Sequence, residues 1–413
     1  MENFTLLLKK YADFIVRVGV NPQPGQTLII NCCLEAAPLA RLCVRSAYEA
    51  GARDVLVNWS DNDVSRSRME LGSEEALTDF KSYQLRRYLD YAESEGGVCV
   101  LHLLADDPEV YAGLDGAKIS RVNAAQRKFM APWREYTMND RVQWSIAAMP
   151  SAPWAKKIFP ELDEAAAIEK LWQLIFDVCR VTDGDPVNEW KAHLDRLTGL
   201  KDKMNALDLE SVHFESGNGT DLTVGIADKA VWESAASVSE KGVVFLPNIP
   251  TEEVFTAPHK DKVNGIVYGT KPYVFNGQLI KGFHVTFKDG RVVEHGADEG
   301  AELLGRLLDT DEGARSIGEV ALVPASSPIN RSGALFYSTL FDENAACHIA
   351  FGASYPGTTE SGTRLTKDEL LARGMNQSAI HEDVMVGAED SHITGKCRDG
   401  RTVELFRDGV WVL

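Results

Sequence analysis

His381 and Asp383 stand two residues apart in the run Ile380-His381-Glu382-Asp383-Val384-Met385-Val386-Gly387. The β-branched and apolar residues around them predict a strand. Strand side chains alternate between faces, so the imidazole and the Asp383 carboxylate share one face and Glu382 takes the other. A histidine nitrogen beside a carboxylate oxygen can grip a divalent cation. Such a pair is common in proteins, and its weight depends on partners elsewhere in the chain.

Three segments offer partners. Asn248-Ile249-Pro250-Thr251-Glu252-Glu253-Val254-Phe255-Thr256-Ala257-Pro258 sets two adjacent carboxylates between prolines. Gly318-Glu319-Val320-Ala321-Leu322-Val323 opens an apolar strand with one Glu, and Cys347-His348-Ile349-Ala350-Phe351-Gly352 embeds a His in another. Each has an ordinary alternative: a solvated strand end, a satisfied core histidine, a charged face. Together they make two histidines and three carboxylates in apolar contexts, and burying such carboxylates without cations is costly. A pair of divalent ions removes that cost. Nitrogen and oxygen donors suit Zn²⁺, Co²⁺ or Mn²⁺, and the lack of thiolates argues against a structural zinc. Spacing does not decide between Glu252 and Glu253. The other histidines, His102, His193, His213, His259, His284, His295 and His392, lack metal-like spacing and read as structural or exposed. Ser326 and Ser327 sit in no Gly-x-Ser-x-Gly elbow, which disfavours serine hydrolase chemistry.

The elements that must position these residues change character along the chain. Thr27–Cys32, a helix over Ala36–Ala50 and Asp54–Trp59 read as a βαβ unit, hence a parallel sheet. Further strands are expected at Val98–Leu104 and Val142–Met149, with helices at Phe80–Ser94 and Asp163–Val181. Residues 1–205 are therefore expected to form a doubly wound, mainly parallel α/β domain. No glycine follows the first strand and no Gly-Lys-Ser or Gly-Lys-Thr occurs, so a dinucleotide or P-loop site is rejected. A long helix over Glu189–Leu207 leads out. Residues 206–413 then show hairpin signals at Ser216–Thr220, Asn276-Gly277, Asp289-Gly290 and Asp399-Gly400. This half reads as an α+β domain with a mainly antiparallel sheet and helices near Asp298–Leu308 and Thr366–Arg373.

The 413 residues favour two domains, and 44% hydrophobic with 25% charged residues is ordinary for a globular protein. Seven cysteines without a Cys-x-x-Cys fit a reduced, cytoplasmic setting. No signal peptide and no membrane span is expected. The net charge is −18. It is concentrated after residue 205, where 18 basic residues face 31 acidic ones, against 25 and 30 before it. So acidic a chain is a poor partner for nucleic acid.

The chain resembles the M29 metallo-aminopeptidases throughout its length. The resemblance is carried by Asn248–Phe255, by Asn376-Gln377-Ser378-Ala379-Ile380-His381-Glu382-Asp383, and by His348 through Gly352, Tyr355 and Gly357. It implies metal ligands at Glu253, Glu319, His348, His381 and Asp383, and so selects Glu253 over Glu252. It implies two divalent ions per subunit (Zn²⁺, Co²⁺ or Mg²⁺), with Glu319 bridging and catalytic roles for Tyr355 and Glu319. Glu343 is a further ligand or supporting group, or a surface Glu. The expected activity is removal of the N-terminal residue from short peptides by a metal-activated water, in a homodimer. A different dinuclear hydrolase (an amidase or phosphoesterase) and a non-catalytic metal- or peptide-binding protein are the alternatives.

Overall fold

The computed structural model describes residues 3–105 and 107–413. The chain forms two compact units that do not divide at a single point. One runs through Leu194 and takes back Ala235–Thr251; the other comprises Asp195–Ser234 and Glu252–Leu413.

In the first unit, β1 (Thr27–Cys33), β2 (Asp54–Ser60), β3 (Val98–Leu104) and β4 (Trp144–Ala148) form one sheet in the order β2-β1-β3-β4, every pair parallel. Parallel strands joined by helical crossovers are covered on both faces. Leu28, Ile29 and Ile30 of β1 are accordingly buried on both sides. The helix Ala37–Glu49 starts with Pro38 in its first turn and buries Leu39, Ala40, Cys43 and Ala47, the helical spacing expected of a core-facing stripe. The Tyr11 hydroxyl donates to Ala148 O at 2.9 Å, anchoring the first helix to β4. An element not anticipated from the sequence runs beside β4. Ile146 N donates to Pro247 O at 2.7 Å and Ile249 N to Ile146 O at 3.0 Å, so residues 247–249 extend the parallel sheet. Few β-branched residues mark that segment, and its prolines disguise it.

The second unit holds two larger sheets. The eight-stranded sheet follows the order Arg291–Gly296, His284–Lys288, Pro258–Tyr268, Asp221–Ile226, Leu209–Glu215, His392–Cys397, Thr402–Arg407, Val410–Trp411, antiparallel throughout. The expected turns are present. Asn276-Gly277 and Asp289-Gly290 each have positive φ at both central residues, the twist that a two-residue hairpin needs. The five-stranded sheet, also antiparallel, orders His381–Met385, His348–Gly352, Ile317–Leu322, Val254–Thr256 and Glu233–Ser234. Its two central strands are buried at every position. The parallel sheet of the first unit and the antiparallel sheets of the second are the fold class expected from the sequence. All seven cysteines are buried. Among the described residues, no helix is long and apolar enough to cross a membrane.

Candidate metal centre

Register on the five-stranded sheet brings four of the five sequence-expected ligands together. Glu319 lies opposite Ala350, and Ala350 opposite Asp383, across three neighbouring strands. His381 lies opposite Gly352, and His348 is two residues before Ala350, so the imidazoles flank the carboxylates on one face. Glu253 arrives at the head of the Val254–Thr256 strand, paired to the far side of Ile317–Leu322. Glu382 takes the opposite face, where its charge adds to burial in raising the Tyr273 hydroxyl. A β-bulge at Gly318 breaks the register between Ile317 and Glu319 and re-aims the Glu319 side chain. Only glycine fits there: a Cβ at Gly318 would lie 2.3 Å from the Ala353 carbonyl. Gly352, at φ 101°, is equally constrained, since its Cβ would meet Ile380 O at 2.3 Å.

His348 Nε2 is 3.1 Å from Glu253 Oε2, 3.4 Å from Glu319 Oε1 and 3.9 Å from Asp383 Oδ1. His381 Nε2 is 3.7 Å from Glu319 Oε2 and 3.5 Å from Asp383 Oδ1. The donors thus form two triads, Glu253–Glu319–His348 and Glu319–His381–Asp383, which share Glu319 through different oxygens. Ligand atoms about 2.0–2.1 Å from a tetrahedral ion stand roughly 3.4 Å apart, which is the spread seen here.

The hydrogen bonding fits a metal. His348 Nδ1 is 3.2 Å from Ala346 O, and His381 Nδ1 is 2.7 Å from Ala353 O. A carbonyl only accepts, so Nδ1 carries the proton in each ring, and a neutral imidazole then presents its Nε2 lone pair to the carboxylates. Glu253 Oε2, His348 Nε2 and Asp383 Oδ1 are buried without a hydrogen-bond partner. The close His348–Glu253 contact is misaligned as a hydrogen bond. Buried atoms of this kind are costly to leave unsatisfied, and a cation among them removes the cost.

Without a metal, the groups compensate by exchanging protons. Burial drives the Glu319 carboxyl up to about 7, against the pull of His348. Burial pushes both imidazoles down, but the carboxylates outweigh it. Glu253 and Glu319 hold His348 well above its ordinary range, and Asp383 and Glu319 hold His381 at about 9. Burial would raise Asp383, yet His381 and His348 keep it low.

Neighbouring residues complete the surroundings. Glu343, read from the sequence as ligand, support or surface, is buried. Burial, then Asp383 and Glu253, push its carboxyl well up. Glu252 is 1% exposed and points to Arg196, 3.3 Å away, so the two adjacent glutamates serve different partners. Asn344, missed in the sequence, is fully buried; its Oδ1 accepts from Glu252 N at 2.7 Å and its Nδ2 donates to Glu343 Oε1 at 3.3 Å. Nothing in the spacing could have signalled it. The Tyr355 ring meets His381 edge-on, centroids 4.6 Å apart, and its carbonyl accepts from the Thr358 hydroxyl at 2.7 Å.

Two imidazole–carboxylate triads sharing one glutamate mark the class of protein that holds divalent metal on nitrogen and oxygen donors. The comparisons give this class a family. Residues 4–411 match the family described as thermophilic metalloprotease (M29), and the chain belongs to it. Aminopeptidase 2 of Geobacillus stearothermophilus is 45% identical over all of this chain and 99% of its own length. Aminopeptidase T of Thermus aquaticus is 40% identical over the full length of both. The solved structure of wild-type AmpT from Thermus thermophilus superposes with a TM-score of 0.91 at 37% identity, covering 99% of this chain and all of that one.

Proposed function

We propose that this M29 enzyme is an aminopeptidase whose centre holds two divalent ions on Glu253, Glu319, His348, His381 and Asp383, with Glu319 shared. The observation that carries the reading is the pairing of the buried donors. Glu253, Glu319, Asp383 and the two imidazoles form two triads that share Glu319. Each triad suits one divalent cation, and a single ion would leave buried donors of the other uncompensated. Zn²⁺, Co²⁺ and Mg²⁺ are the candidate ions. When bound, such ions supply Lewis acidity and lower the pKa of water toward neutrality.

The chain's own groups do the rest. The Ala346 and Ala353 carbonyls keep each Nε2 aimed at the centre. The Tyr355 hydroxyl donates to the oxyanion that develops on the scissile carbonyl, a contribution of about 2.7–4 kcal/mol for a single well-placed donor. Glu319 serves the reaction as the shared ligand, and a carboxylate of the cluster that keeps a free oxygen takes the proton from the attacking water and passes it to the leaving amine. The free α-amine of a short peptide binds a carboxylate beside the centre, which sets the first peptide bond there. The same reading makes the enzyme a cytoplasmic homodimer. Its buried thiols suit a reducing compartment, and analytical ultracentrifugation tests the dimer.

Removing metal with a chelator should abolish hydrolysis of leucyl-p-nitroanilide, and Co²⁺ or Zn²⁺ should restore it. N-acetyl-leucyl-p-nitroanilide should resist the restored enzyme. Elemental analysis of the reconstituted protein should return two ions per chain; full activity without metal would overturn the proposal.

A further inference from the structure

Three strands that carry buried donors end at a cavity. Val323 follows Ile317–Leu322, Cys347 precedes His348–Gly352, and Gly387 lies just past His381–Met385; all three line a space of about 210 Å³. Lys271 reaches it from a segment tied to the same sheet, since Thr270 N donates to Met385 O at 2.9 Å. Ala346, whose carbonyl lies 3.2 Å from His348 Nδ1, is also in its wall. At roughly 30 Å³ for each liquid water, the space exceeds what a few waters fill. It falls short of the roughly 300–1,000 Å³ of pockets for drug-sized ligands. A single amino acid fits that range, and a peptide does not.

Charges of both signs line the cavity, each without an ion-pair partner among the described residues. Lys271 Nζ donates to Asn330 Oδ1 at 3.0 Å, and Asn330 Nδ2 donates to Ala325 O at 2.9 Å, so a neutral, fully engaged amide fixes the ammonium. One of its three N–H donors is used there and two remain. Residues 206–413 hold 31 acidic against 18 basic side chains, so an ammonium left to an amide is not for want of carboxylates. The buried Asp342, on which Lys271 acts at longer range, is already held by Phe336 N and Ser338 N at 2.9 and 3.0 Å. Glu389, exposed at the rim, supplies the negative charge. Val323, Ala325 and Cys347 give the wall an apolar stretch. A cation, an anion and apolar surface around one small cavity are complementary to a zwitterion with an aliphatic side chain.

We propose that this cavity binds one free α-amino acid with a small aliphatic side chain. Its carboxylate accepts from Lys271 Nζ, its ammonium donates to Glu389, and its side chain lies against Val323 and Cys347. Calling that molecule a reaction product rests on the aminopeptidase reading; its binding does not. One backbone segment, Ala346-Cys347, borders both this cavity and the imidazole of the metal centre.

Equilibrium dialysis with radiolabelled L-leucine tests this on the full chain and its Lys271→Met and Glu389→Gln variants. The wild type should hold one leucine per chain that each variant binds about 10–100-fold more weakly, the loss expected for one charge-assisted hydrogen bond. 4-Methylpentanoate keeps only the carboxylate and 3-methylbutylamine only the amine. Each should compete with that leucine about 10–100-fold less well than unlabelled leucine does. Leucine held at the metal centre counts equally in all three proteins, so the difference between them is the readout, whatever reaction the centre performs. Equal affinity in wild type and Lys271→Met overturns the proposal. Weakening by Lys271→Met alone, with Glu389→Gln unchanged, also overturns it, in favour of a simple carboxylate. Should a variant fail to fold, wild-type crystals soaked in leucine decide. Leucine density between Lys271 and Glu389 supports the site, and an empty cavity at saturating leucine refutes it.

Discussion

The second unit presents the same kinds of group twice, once sealed inside a five-stranded sheet and once on the open face of an eight-stranded one, where His213, Glu215, Asp221 and His392 meet in pairs. Both sets join imidazoles through a shared glutamate, with donor separations of 3.1–3.9 Å in one and 3.7–3.8 Å in the other. What differs is the support. In the buried set, both rings are tied to main-chain carbonyls, and the sheet around them is fully packed. In the exposed set they are tied to side chains, and water screens every charge. Ligand chemistry alone therefore does not make a reactive centre; burial gives the charges their force, and rigid backbone gives them direction.

Four experiments break or sharpen that contrast. His348→Ala or Asp383→Asn should cost more in kcat/KM than the ~10³-fold upper bound for losing a single hydrogen-bond donor, whereas His213→Gln should leave kcat/KM unchanged. Comparable losses at the two sets would erase the distinction. Next, Tyr355→Phe should lower kcat by about 10²–10³-fold with metal content unchanged, as read by steady-state kinetics alongside elemental analysis. A drop confined to metal content would make the tyrosine a structural neighbour of His381.

The third concerns pH. His381 at about 9 and Glu319 at about 7 both bind protons more tightly in the folded, metal-free protein than in the unfolded chain. The stability contributed by His381 is full below the ordinary imidazole value of ~6.5 and is lost as pH climbs through about 9. Holding Glu319 protonated costs stability progressively from the ordinary carboxyl value of ~4.3 up to about 7. The two trends have the same sign, so calorimetry should show the metal-free Tm falling from about pH 5 to pH 9. Bound metal displaces those protons and should flatten the slope; a flat metal-free profile would contradict the buried charge assignment. The smallest effect is expected at Glu382→Gln, on the opposite face of the same strand. It should change stability by only about 0.5 kcal/mol and leave kcat untouched, and a large loss of activity would mean that the strand's faces are misassigned.

Much of this was legible in the sequence because it is local. The βαβ rhythm, the Asn-Gly and Asp-Gly turns and the His381/Asp383 alternation each depend on a few adjacent residues. Which carboxylates join them is not local. Glu252 and Glu253 are equivalent in spacing, and only the resemblance favoured Glu253; the fold separates them by giving Glu252 to Arg196 and Glu253 to His348. The aim of Glu319 depends on a bulge at Gly318, which no periodicity encodes. His213 and His392 read as unrelated because they are 179 residues apart, yet the register sets their strands side by side. Pairing between distant strands is a tertiary property, and it decided both clusters.

The two main-chain bonds to the buried imidazoles also bear on time. Ala346 O and Ala353 O flank the His348–Gly352 strand, so neither ring can swing aside without breaking a bond to the main chain, a local opening of the site. Under the proposed ligation, an ion bound there leaves at the rate of that opening rather than of a side-chain rotation, which is faster by orders of magnitude. The metal content of each molecule would then record the ions present when it folded, and would be slow to follow later changes in the surrounding pool.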